Sequence, residues 1–173
     1  MGRFTGSYLT RAERLVARYP SARSAMLPLF HLAQEQDGWL TPEAVDHIAE
    51  LVGVPGAQVI GTASFYSMVK RRPVGRWLVS VCTNLSCQLA GGEELLAHAE
   101  RSLGVRAGGT TTDGDVTLEE VECLAACDLA PCVQVNYRFF GPLGPDGFDA
   151  LVGDVRAGQG HVPAHLVLNR EDG

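Results

Sequence analysis

The chain has 173 residues, 46% of them hydrophobic, with 14 Lys and Arg against 20 Asp and Glu for a formal charge of −6. This length supports one domain or two small ones with a buried core, and the composition is that of a folded globule, not a disordered chain. The acidic balance argues against a general nucleic-acid binder, and no apolar run reaches the ~18 residues of a membrane-spanning helix.

Residues 1–20, MGRFTGSYLTRAERLVARYP, are broken by Arg and Glu and lack the apolar stretch of a signal peptide. We therefore expect a cytoplasmic chain that does not insert into a membrane. Thr10-Arg-Ala-Glu13 reads as a capping box, in which hydroxyl and carboxylate serve free N–H groups of a first turn. It predicts a helix from Thr10 to about Tyr19, ended by Pro20. A second helix is expected from near Ser24, with Met26, Leu29, Phe30 and Ala33 as one stripe and Gly38 as its stop. Thr41-Pro42-Glu43 opens a third, with a cap, Pro at the first helical position and an acid at the positive dipole end. Val45, Ile48, Ala49 and Val52 form its inner face, and Gly53 closes it. Pro55 opens a fourth helix toward Phe65 and Tyr66.

The pattern changes after Lys70-Arg71-Arg72-Pro73. Arg76 to Val81 reads as a buried strand and Glu93 to Leu103 as a helix capped by Gly104. Val116 to Glu122 alternates as a half-exposed strand does. Cys132 to Phe140 reads as another alternating run, and Asp146 to Val155 as a closing helix. The expected fold is α+β, with an N-terminal helical bundle over residues 1–72, an α/β part over 73–157 and a flexible tail over 158–173.

All five cysteines lie in the second part: Cys82, Cys87, Cys123, Cys127 and Cys132. An odd count makes a poor disulfide framework in a reducing compartment. Cys82 and Cys87 follow the first strand as CTNLSC, and Cys123 and Cys127 follow the second as CLAAC. Pairs on loops after two strands can converge on one end of a sheet. Four thiolates there suit either a tetrahedral zinc or an iron–sulfur cluster. Zinc knuckles favour two intervening residues, whereas a [2Fe–2S] group asks each pair to serve one iron and tolerates wider loops. The spacing favours the cluster, with zinc and plain buried thiols as alternatives. A Rieske centre needs two histidines on one iron, and no His adjoins either pair. Cys132, four residues past Cys127, reads as a small buried hydrophobe at the start of the next strand, with a competing ligand as the alternative.

The stretches VCTNLSC and VECLAACDLAPCVQVN, with AMLPLFHLAQEQDGWLTPEAV and ASFYSMVKRRPVGR upstream, resemble the thioredoxin-like [2Fe–2S] ferredoxin subunit of respiratory complex I, over about residues 20–157. The resemblance implies an N-terminal helical bundle followed by a thioredoxin-like ferredoxin domain. It implies one [2Fe–2S] cluster, with Cys82 and Cys87 on one iron and Cys123 and Cys127 on the other, and no catalytic residue in this chain. It further implies single-electron exchange with FMN on an adjacent NADH-binding subunit, contact with the larger iron–sulfur subunit, and a peripheral position on the cytoplasmic side of the cell membrane. The enzyme would then be a proton-translocating NADH:quinone oxidoreductase of which this chain is a part. Similar subunits occur in NAD-dependent formate dehydrogenases and in NAD-reducing and bifurcating hydrogenases. Ala125 stands where the family usually has Gly, which matters only if that residue needs a positive φ. Cys132 stands where an aliphatic residue or Met is common.

Neither G-x-G-x-x-G after a strand nor G-x-x-x-x-G-K-[ST] occurs, so NADH would be bound by a partner. Lys70, Arg71, Arg72 and Arg76 read as a subunit contact or a hinge. Phe65 and Tyr66 read as core aromatics at a helix end, with a partner-binding patch as the alternative. His31, His47 and His98 read as surface or core-edge residues. His161 and His165 are spaced for a metal on one helix face, but Pro163 between them argues for a tail.

Overall fold

The first residues are anchored by tertiary contacts. Phe4 is buried, its N–H donates to His47 Nδ1 at 2.9 Å, and Arg3 pairs with Glu50. These contacts begin α1 (Gly6–Ala17) a turn earlier than the expected capping box, with Thr5 as N-cap and no side-chain cap bond. Thr10 and Glu13 therefore lie inside the helix. We describe residues 2–157 of a computed structural model; the expected tail, with His161 and His165, lies outside them.

A short 3₁₀ turn, Ala22–Ala25, leads into α2 (Met26–Asp37), and α3 (Pro42–Val52) and α4 (Gly56–Phe65) complete the helical part. Thr41 caps α3 as the sequence predicts, its Oγ1 accepting from the Ala44 N–H at 3.1 Å. Gly38 and Gly53 end α2 and α3 in the left-handed conformation. Leu29, Phe30, Leu32 and Ile48 are wholly buried in the shared core, each worth about 1.5–3 kcal/mol of apolar burial. Arg11 forks onto Glu35 through two 2.8 Å hydrogen bonds, tying α1 to α2.

The chain divides into two compact units after Pro73. The second contains β1 (Trp77–Cys82), a short helix α5 (Leu85–Leu89), α6 (Gly92–Leu103), β2 (Val116–Val121), β3 (Val133–Val135), β4 (Arg138–Phe140) and α7 (Pro145–Arg156). The sheet order is β2-β1-β3-β4. β1 runs parallel to β2, with Cys82 opposite Val121, and antiparallel to β3. Trp77, Val79 and Val81 of β1 join Val116, Leu118, Val133 and Val135 in a core with Leu95 and Ala99 of α6 and Phe148 and Val152 of α7.

The alternating run after Cys132 is not one strand. It folds into the hairpin β3–β4, because Asn136 and Tyr137 take positive φ angles of 42° and 70° and turn the chain back. Asn136 pins the turn to β1: its Oδ1 accepts from the Leu78 N–H at 2.8 Å, and its Nδ2 donates to the Arg76 carbonyl at 3.0 Å.

Candidate metal centre

Parallel neighbours end side by side, so β1 and β2 deliver their following loops to the same end of the sheet. The ladder continues past the strands, with the Thr83 N–H on the Val121 carbonyl at 3.1 Å. The Thr83 hydroxyl donates to Glu120 at 2.9 Å, a further tie between the two exits. β3 is antiparallel to β1, so its start, with Cys132, falls at this end too, and the Cys82 N–H donates to the Cys132 carbonyl at 3.1 Å. One pocket is lined by Cys82, Cys87, Cys123, Cys127 and Cys132. The four thiols singled out in the sequence are thus brought together, and the fifth joins them.

The pairs differ in exposure: Cys82 and Cys87 are buried, whereas Cys123 and Cys127 are exposed. Cys123 lies two residues beyond the end of β2, and Cys127 opens a 3₁₀ turn, Cys127–Leu129. Cys87 sits within α5, a short helix where the sequence suggested a loop; Asn84 accepts from the Leu85 N–H at its start. Burial raises the Cys87 thiol above the usual cysteine range, and the neighbouring Cys82 adds to the rise, while the Cys132 backbone N–H opposes it. Cys132, packed against Cys82 and Cys87, is pushed up to about 11, chiefly by burial. The Ala125 N–H donates to Cys123 Sγ at 3.3 Å. Ala125 does this with φ at +54°, a conformation that L-residues rarely adopt.

Three features of this end were not legible in the sequence. Gly92 begins α6 so close to the thiol segments that a Cβ there would stand 2.8 Å from the Cys82 carbonyl oxygen and 2.9 Å from that of Cys87. Only glycine permits that approach. Cys132 packs with Cys82 and Cys87, which its spacing from the other cysteines did not suggest. Leu85 and Leu89, at i and i+4 of α5, are 66% and 83% exposed, and Leu85 also lines the pocket.

The donor set fits a soft metal group: four thiols on two segments, half of them shielded from water, with backbone N–H groups directed at sulfur. Among the described residues no three His, Cys, Asp or Glu side chains are grouped about the position of a single ion.

An α+β fold whose mixed sheet gathers cysteines beyond two parallel strands suits the class of cysteine-liganded metal and redox proteins. Within it, the family model for thioredoxin-like [2Fe–2S] ferredoxins matches residues 12–156, and this chain belongs to that family. The E subunit of the Mycobacterium tuberculosis NADH-quinone oxidoreductase is 45% identical over 152 residues, 88% of this chain and 60% of that protein. The second E-type subunit of the Rhizobium meliloti NADH-quinone oxidoreductase is 42% identical over 147 residues, covering 85% of this chain and 88% of the relative. Subunit 2 of the Thermus thermophilus NADH-quinone oxidoreductase is 39% identical over 150 residues, with 85% and 83% covered. The chain thus spans about 60% of the length of its mycobacterial relatives. In fold it is similar to an NAD⁺-reducing [NiFe]-hydrogenase chain, with a TM-score of 0.68 at 23% identity over 77% of this chain and 23% of that one.

Proposed function

We propose that this chain is the electron-transfer subunit of an NADH-quinone oxidoreductase and that Cys82, Cys87, Cys123 and Cys127 hold its [2Fe–2S] cluster, one pair to each iron. The supporting observation is the convergence of two thiol pairs from the ends of β1 and β2 on one pocket, in a chain 45% identical to a mycobacterial NADH-quinone oxidoreductase subunit. When bound, the cluster supplies a one-electron station for a flavin, which accepts a two-electron hydride and must discharge singly.

The chain's own residues set the conditions for that role. Cys82 is held by the β1 ladder and Cys87 by α5, and their burial excludes water from one side of the site. Cys87, whose thiol burial raises above the usual range, would give up its proton on holding the cluster. The Ala125 N–H donates to Cys123 Sγ, the kind of backbone contact that tunes a metal-bound sulfur. Exposed Cys123 and Cys127 form the side a redox partner approaches. With no nucleotide-binding motif in the sequence, NADH and FMN reside on an adjacent subunit, and the larger iron–sulfur subunit takes the electron path onward. In this reading residues 1–72 act as a docking arm for the ferredoxin domain, 73–157. Among the described residues no single helix is long and apolar enough to cross a membrane, which suits a peripheral position on the cytoplasmic side.

Electron paramagnetic resonance of the dithionite-reduced protein tests the reading. A [2Fe–2S] centre gives a signal and a zinc site none. Cys87→Ser loses or strongly alters the signal, and Cys132→Ser keeps it. If Cys132→Ser abolished the signal while Cys127→Ser spared it, the ligand assignment would be wrong.

A further inference from the structure

The fourth helix has two faces of unlike fate. Val59 and Ala63, followed by Tyr66 and Val69, pack into the helical core. The opposite face presents Ala57, Ile60, Gly61, Ser64 and Phe65 and continues to Met68, every one of them exposed and uncharged. Phe65 is 82% exposed, Ile60 50% and Met68 44%. The core reading of the Phe65-Tyr66 pair therefore holds for Tyr66 and fails for Phe65.

This face has the i, i+3, i+4, i+7 spacing of a helix that docks against a partner. Its one polar side chain is already satisfied, since the Ser64 hydroxyl donates to the Gly61 carbonyl at 2.8 Å. The Phe65 ring stands edge-on to Tyr66 with centroids 5.2 Å apart, so a half-buried neighbour fixes its position before any partner arrives. That preorganisation lowers the entropy lost on binding. Small residues at 57, 61 and 64 leave room for another backbone between the large ones. A contiguous apolar surface of this kind marks an interaction site more often than an idle one.

We propose that the outward face of α4 seats another subunit of the same oxidoreductase, through an apolar patch rimmed by carboxylates. The rim follows from charge: three residues past Met68 the chain carries Arg71 and Arg72, both exposed, a basic edge on a chain whose net charge is −6. A second copy fits less well, because two chains of that charge repel. The proposal rests on the chain being a subunit of that assembly.

The test uses cells that produce the whole oxidoreductase, with an affinity tag on the NADH-binding subunit and immunodetection of this chain. Ile60→Asp combined with Phe65→Asp lowers its recovery about tenfold or more, and Arg71→Glu with Arg72→Glu lowers recovery most at low salt, the difference from the wild type shrinking as salt screens the charges. The melting temperature and visible iron–sulfur bands of the isolated variants stay as in the wild type. A benzophenone side chain introduced at position 65 of the otherwise native chain cross-links to another subunit beside Asp or Glu residues. Equal recovery of wild type and Ile60→Asp/Phe65→Asp overturns the proposal alone, as does a cross-link to a second copy. Absence of the wild-type chain from the tagged assembly overturns the parent reading and this proposal with it.

Discussion

Ala125 shows how much one backbone angle can carry. At φ +54° its N–H reaches Cys123 Sγ, and its exposed methyl group takes no part in the core. The left-handed region costs an L-residue about 1–2 kcal/mol relative to glycine, offset in part by the greater freedom of glycine in the unfolded chain. Ala125→Gly is therefore expected to raise stability by about 1 kcal/mol in urea unfolding of the metal-free chain. A lower midpoint at unchanged slope would show that the alanine is not strained. The sign of φ at this position belongs to the folded loop and is not written in the residues around it. Cys132 is comparable. Its burial was legible from Pro131 and the alternation that follows, but its place among the other thiols was not, because it depends on β3 running antiparallel to β1.

Local signals served well where they were self-contained. Thr41-Pro42-Glu43 starts a helix and Gly38, Gly53 and Gly104 end theirs, as capping chemistry dictates. They failed where a distant contact prevailed. The Thr10–Glu13 box is overridden by Phe4, His47 and Glu50, which lengthen α1 toward the N-terminus. The β3–β4 turn was missed because Asn-Tyr is not the usual Asn-Gly signal; it is held by the two Asn136 side-chain hydrogen bonds, to Leu78 of β1 and to Arg76 just before it. Asn136→Ala removes both and puts a residue less tolerant of positive φ at the turn, so a loss of about 1–3 kcal/mol is expected. Hydrogen exchange at Val133 and Val135 would reveal it, and unchanged protection there would refute it.

Across the whole molecule, the helical unit carries a pH dependence of its own. His47 accepts the Phe4 N–H, which requires a neutral imidazole, and burial lowers its pKa from 6.5, with nearby Arg3 acting in the same direction. Burial lowers His31 as well. The unfolded chain therefore binds more protons than the folded one as pH falls below about 6.5, and stability declines through that window toward the lowered folded pKa. The melting temperature at about pH 5.5 should lie below that at about pH 7.5, and His47→Asn should reduce the difference. An identical pH response in the variant would exclude His47 as a source.

The four candidate thiols, the change from helices to strands near residue 72 and most helix ends were determined by the sequence itself, because thiol spacing, apolar periodicity and caps act over a few neighbouring residues. Tertiary structure alone decided which thiols are shielded, that Ala125 is left-handed, that Gly92 must lack a side chain and that Phe65 faces outward. Each of these depends on strand order or on packing between segments far apart in the chain, and periodicity says that a helix has an apolar face without saying whether this chain or another covers it.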